Sequence, residues 1–242
     1  MKDRLVPIDR KKHLLYSRAL KKIVRRRLRE TCPDRSETLW EQIQTTYADF
    51  LGDLPYCGGR HNFQARGIYD SIMLLACCEV LHLTLEELED LNNALFVSPR
   101  QSPASLNWPW AMRAAQAIFS HIGKKARAHR QDWPGNYHME VLPLDPKLGV
   151  RYRFHSCPIA DFAAAHGYTP MMPALCNADY PMLRSLHGGL IRRYTCANGP
   201  FCDYCIPGDE NPVLKDYPVF RDEAGFLRNA DSPFREEQGS PL

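Results

Sequence analysis

Residues 136–156, NYHMEVLPLDPKLGVRYRFHS, decide the fold class. In NYHMEVLPL and again in GVRYRFHS, apolar and polar residues alternate, the period of a strand with two unlike faces. Upstream the pattern is helical. Residues 111–129 read as one helix, and Thr84 with Glu87 gives a capping-box signature that opens LTLEELEDLNNALF. Residues 66–81 form an apolar helix, and 36–51 run from Ser36 to a stop at Gly52. A turn-rich segment at 54–62 and a Pro/Ser-rich loop at 98–110 separate these helices.

Downstream, CPIADFAAAHG reads as a short helix ended by Gly167. PALCNADYPMLRSLHGG reads as a second helix, irregular at Pro181. LIRRYTCA and FCDYCIP read as a closing hairpin around the turn dipeptide Asn198-Gly199. The expected fold is therefore α+β, a helical N-terminal half packed on a small antiparallel sheet crossed by two helices. The expected organisation is a basic helical extension at 1–35, a single domain at 36–206 and a Pro-rich surface-wrapping tail at 207–242.

With 44% hydrophobic and 24% charged residues, the chain has the composition of a globular protein rather than a disordered one. No apolar run approaches the ~20 residues that cross a bilayer. The opening MKDRLVPIDRKK lacks a signal-peptide apolar region, so a cytoplasmic address is expected. There the nine cysteines are thiols. The net charge of +3 is too small to imply a polyanionic partner.

Residues 10–30 concentrate the basic charge on an amphipathic helix, with an apolar stripe of Leu15, Ala19, Ile23, Leu14 and Leu28. Such a helix contacts nucleic acid or a membrane surface, or docks its stripe on the core. No zinc-finger or RNP-like motif accompanies it. Docking is therefore expected, with neither nucleic acid nor membrane as partner. A partner protein or a second copy of the chain is the candidate occupant of its outer face.

Cys202-x-x-Cys205 poses the question of a metal site or a redox dithiol. A structural zinc site takes about four ligands, and adjacent Cys77-Cys78 within an apolar helix cannot supply a second pair. A redox CxxC belongs at a helix N-terminus, whereas this one lies on a strand, where residues three apart face opposite ways. Neither a metal nor another cofactor is expected. Cys157 is the better chemical candidate. Pro158 fits the first position of a helix, which makes Cys157 its N-cap, with the sulfur at the positive end of the dipole. That placement predicts a depressed thiol pKa and a nucleophile, against the alternative of a small buried hydrophobe. His155 stands two residues earlier as a base or gate. Cys176 and Asp179, three apart on a helix, share a face. Arg192 and Thr195 lead into the Asn-Gly turn, and Asp203 after it is open to either a site role or the satisfaction of hairpin backbone groups.

Taken together, the C-terminal half resembles the L-2-amino-thiazoline-4-carboxylic acid hydrolase family. The elements in common are His155-Ser-Cys157-Pro158, Leu175-Cys176-x-x-Asp179, and Arg192-x-x-Thr195-x-x-x-Gly199-x-x-Cys202-Asp203-Tyr204. Residues 54–62, LPYCGGRHN, are similar to the family's Pro-x-x-Gly-Gly-x-x-Asn stretch. The Cys…Gly…Cys ending also resembles four-vinyl-reductase-like ligand-binding domains.

The family resemblance implies hydrolytic opening of a small cyclic amidine at C2, yielding an N-carbamoyl-cysteine. That chemistry needs a nucleophile at C2, water or a Cys157 thiolate, and a carboxylate such as Asp179 to hold the ring amidinium, with His155 and Cys176 as further catalytic candidates. The role of donor to the substrate carboxylate suits Arg192, Arg60 or the helix N-terminus at 158, and Thr195, Cys202, Asp203 and Asn62 complete the expected substrate contacts. Two other functions stay open at this point: a ring-forming enzyme of specialised metabolism, and a non-catalytic ligand-binding or partner subunit.

Overall fold

The computed structural model describes residues 15–96 and 105–234. The first five helices are α1 (Arg18–Thr31), α2 (Ser36–Asp53), α3 (Ala65–Leu81), α4 (Leu85–Asn93) and α5 (Pro109–Ala128). They follow the helical period of the sequence to within a few residues. At α4 the capping box is formed on both sides: the Thr84 hydroxyl accepts the Glu87 amide, and the Glu87 carboxylate accepts the Thr84 amide at 2.9 Å. Most of α3 is buried, because its apolar residues run all round the helix from Ile68 to Cys78.

Helix α1 begins later than the basic run. Ser17 caps it, its hydroxyl accepting the Leu20 amide at 3.1 Å, and residues 10–14 lie outside the described residues. The buried stripe is Leu20, Val24 and Leu28, in the same apolar core as Ile43 and Ile72. Ala19, expected on that stripe, is exposed. The 4-residue spacing of Leu20, Val24 and Leu28 sets the buried face, and Leu15 and Ile23 flank it.

The alternating stretch forms β1 (His138–Val141) and β2 (Val150–Ser156), paired antiparallel. Helices α6 (Pro158–Ala165), α7 (Met172–Cys176) and α8 (Asp179–Arg184) follow, and then β3 (Cys202–Ile206). Strand β3 pairs with β2, with Tyr152 opposite Tyr204 and Phe154 opposite Cys202, which gives the sheet order β1-β2-β3. The α+β class is thus observed. Among the described residues no helix is long and apolar enough to cross a membrane.

Three local expectations are corrected. The 173–189 stretch is not one helix bent at Pro181: it breaks at Asn177-Ala178, between α7 and α8. Pro181 lies in the first turn of α8, where its missing N–H leaves no hydrogen bond unmade, so the chain must restart just ahead of it. Residues 190–197 do not form a hairpin strand. They touch β3 through the isolated bridge Ile191–Cys205, after which the Asp203 side chain takes the amides of Arg193 and Tyr194. The turn at 195–198 is closed by Thr195 and Asn198 bonding each other, and neither Asn198 nor Gly199 adopts the positive φ of a tight hairpin turn. Finally, the segment after 206 contributes a hairpin of β4 (Val219–Arg221) and β5 (Leu227–Asn229), with Phe226 buried in the helical core.

Candidate active site

A cavity of about 330 Å³ opens at the seam between two apolar cores. From the helical core come Leu74, Cys157, Ile159, Met172 and Leu175, and from the sheet core Tyr152, Phe154, Cys202 and Tyr204. Phe63, which is 80% exposed, belongs to the rim. Strand alternation builds the sheet wall. Tyr152 and Phe154 on β2, with Cys202 and Tyr204 opposite them on β3, share the face that meets the cavity. Tyr152 stacks on Tyr204 with ring centres 4.5 Å apart.

The same alternation turns His155 to the other face. It pairs with Glu140 (3.0 Å) beside the His138 ring and does not line the cavity.

Asp179, at the start of α8, is a carboxylate of this cavity, which Asp70 of α3 also lines. Its Oδ2 accepts from the Arg192 guanidinium at 2.7 Å and from the Tyr204 hydroxyl at 2.8 Å. Its Oδ1 makes no hydrogen bond among the described residues, and the side chain keeps 25% of its surface open. Burial pushes the Asp179 pKa above the ordinary carboxylate value, while Arg192 and Tyr204 pull it back without cancelling the rise.

Arg192 is 1% exposed and does not reach into the cavity. Besides Asp179 it binds the Cys176 carbonyl at 3.1–3.2 Å and, more weakly, the Leu227 carbonyl at 3.4 Å. Its guanidinium lies between the Tyr180 and Tyr204 rings. The expected substrate contact by Arg192 is therefore corrected: the residue positions Asp179.

Four sulfurs surround the floor. Cys157 caps α6, as its place before Pro158 requires, and the amides of Ile159 and Ala160 act to lower its pKa. Burial outweighs them and pushes the thiol up, so the depressed pKa expected of this N-cap is not found. Cys176 is likewise pushed up by burial, to about 12. Cys202 is raised well above its usual value, first by its bond to Cys196 and then by burial. Cys196 is the exception. Its pKa is lowered, chiefly because the Cys202 thiol donates to its sulfur across 3.5 Å. The Cys196 amide in turn donates to the Cys202 sulfur at 3.1 Å. Cys196 was not among the expected site residues, and a lone cysteine in a turn offers no signal by spacing. Cys205 faces away from Cys202, into a separate cluster with Ile191 and Val213.

The remaining expected residues lie behind the cavity wall. Asn62 is buried and spends its amide on the Cys57 carbonyl and the Asn136 side chain, both at 2.7 Å. Its neighbour Gln64 lines the cavity instead. Thr195 closes the 195–198 turn. Asp203 is fully buried, with both oxygens accepting backbone amides, which is the structural alternative for this residue. The side chain of Arg60 lies outside what is described. Cys157, Cys176, Asp179 and Cys202 are therefore the expected residues that the fold brings to one cavity.

Such a cavity can hold a small planar molecule between aromatic rings. Two carboxylates line it, Asp70, which accepts the Ser17 amide, and Asp179, whose Oδ1 is open to take or give a proton in surroundings that strengthen the interaction. No curated protein and no solved structure matches the chain. Residues 102–206, which carry Cys157, Cys176, Asp179, Arg192 and Cys202, match the family model described as L-2-amino-thiazoline-4-carboxylic acid hydrolase, and the family resemblance is shown over that stretch.

Proposed function

We propose that the chain is a hydrolase-like enzyme acting on a small cyclic amidine, with Asp179 as its general base. The observation that carries this reading is the asymmetric Asp179 carboxylate. Arg192 and Tyr204 hold one oxygen, and the other is open to an aromatic cavity, with a pKa shifted toward the range useful for proton transfer. The family match over the same residues supports the substrate class.

In this reading water gives a proton to Oδ1 of Asp179 as its oxygen bonds to C2 of the bound ring. Attack moves the C2=N electron pair onto the ring nitrogen, which takes the remaining hydroxyl proton as the C2–O double bond forms. The C2–S bond breaks with it, and the Asp179 proton passes to the departing sulfur. One water is consumed, and an N-carbamoyl group and a thiol are formed. The raised pKa values of Cys157 and Cys176 favour attack by water over attack by a thiolate.

The test is turnover of L-2-amino-thiazoline-4-carboxylate and of 2-aminothiazoline, followed by mass analysis for the gain of one water. Wild-type protein is expected to open at least one of them, and Asp179→Asn to bind it without turnover. Equal turnover by Asp179→Asn, or bound ligand that is never opened by wild type, overturns the reading.

A further inference from the structure

A second recess, of about 270 Å³, lies between the end of α5, residues 133–139 and Ser156. Arg127 and Arg130 line it together with His138, the Ser156 hydroxyl and the Trp133 ring. No carboxylate is among its lining residues. Neither arginine side chain makes an ion pair or hydrogen bond among the described residues; Asp132 is engaged with His129 and Glu140 with His155. Burial, then Arg130, His155 and Arg127, hold the His138 imidazole below its ordinary value, and Glu140 opposes them only weakly. Both arginines are exposed, and both line this one recess. Arg127 also complements the C-terminal dipole of α5, but Arg130 lies beyond the helix, so that explanation covers only one of the two arginines.

We propose that this recess binds a phosphate-type oxyanion carried on a small molecule, with Arg127 and Arg130 as its charge partners and His138 and Ser156 as further donors. Two guanidiniums match a dianion better than the single charge of a carboxylate, and their planar forks suit its several oxygens. Trp133, buried beneath the recess, and Tyr137, whose side chain also lines the Asp179 cavity, give the rest of the molecule an apolar wall. The site is distinct from the Asp179 cavity, and its assignment does not rest on the hydrolase reading.

The test is calorimetric titration of the full chain with phenyl phosphate at constant ionic strength, with inorganic phosphate as competitor and benzoate as the carboxylate counterpart. Saturable binding of phenyl phosphate is expected, competed by inorganic phosphate and stronger than that of benzoate. In Arg127→Gln/Arg130→Gln the affinity should fall about tenfold or more, as expected when charge-assisted hydrogen bonds are lost. An unchanged thermal midpoint of the ligand-free variant shows that it is folded. Unchanged affinity in the double variant, or no saturable binding by wild type, overturns the site. Benzoate binding as tightly overturns the phosphate class, and tighter saturable binding of an oligonucleotide overturns the small-molecule class.

Discussion

Asp179 and Asp203 are two acids that meet the sheet from opposite sides, the first half-buried and the second fully buried. Asp203 stands on β3 between Cys202 and Tyr204, so its side chain points away from the cavity those two residues line. There both of its oxygens accept amides from Arg193 and Tyr194, at 2.7–3.2 Å. Asp179 meets the sheet on the cavity side and leaves one oxygen unspent. The partial exposure of Asp179 does not by itself make it the reactive acid of the two. What separates them is how many lone pairs the protein has already used.

The largest expected difference follows from that contrast. Asp179→Asn should lower turnover by roughly 10²–10⁴-fold, the range for a positioned general base, with the circular dichroism unchanged. Asp203→Ala should act on the fold instead. It strands two half-buried amides, at up to roughly 1–3 kcal/mol each, and chemical denaturation should report the loss. If Asp203→Ala kept its stability while losing activity, the division between the two acids would be wrong.

Next in size is the pH profile. Asp179 must be ionised to accept a proton, and burial raises its pKa. Activity should therefore fall on the acid side at a pH above the ~3.9 of an ordinary aspartate. Arg192 lowers that pKa, so Arg192→Gln should move the acid limb to still higher pH as well as reduce the rate. A limb that stays in place would remove Arg192 as the positioning residue.

Smaller effects concern the thiols and a cap. Alkylation at neutral pH should modify Cys196 before Cys157, read by peptide mass mapping, because only the former is shifted toward thiolate. Under diamide, Cys196 and Cys202 should be the first pair to link, since their sulfurs already lie 3.5 Å apart and need close only to the ~2.05 Å of a disulfide. Smallest of all, Thr84→Ala should cost about 1 kcal/mol of stability by removing the α4 cap, with no change in catalysis.

Much of the fold was legible because its signals are local. Period-two alternation placed β1 and β2, Thr84-x-x-Glu87 opened α4, and Cys157-Pro158 placed the start of α6. The failures occurred where distant groups replace local ones. The 190–203 pairing looked like a hairpin, but the Asp203 side chain takes amides that a ladder would have used. At the site, residue identity was legible and role was not. Arg192 reads as a substrate clamp until its partner, 13 residues earlier in sequence, is known to be Asp179. The sulfur of Cys157 feels the helix field its sequence promises, yet desolvation, which depends on the whole surrounding core, wins.

The β4–β5 hairpin reaches the chemistry without touching the cavity. Asn229 is fully buried; its side chain accepts the Arg192 amide at 2.7 Å and donates to the Tyr217 carbonyl at 2.6 Å. Leu227 accepts the Arg192 guanidinium on its carbonyl, and its amide donates to the Asn177 side-chain oxygen. The charge on Asp179 is therefore set partly by residues that lie past the end of the family-matched stretch. A graft of residues 102–206 onto another scaffold would carry Cys157, Cys176, Asp179 and Arg192, yet leave that arginine without the Asn229 and Leu227 contacts that hold it.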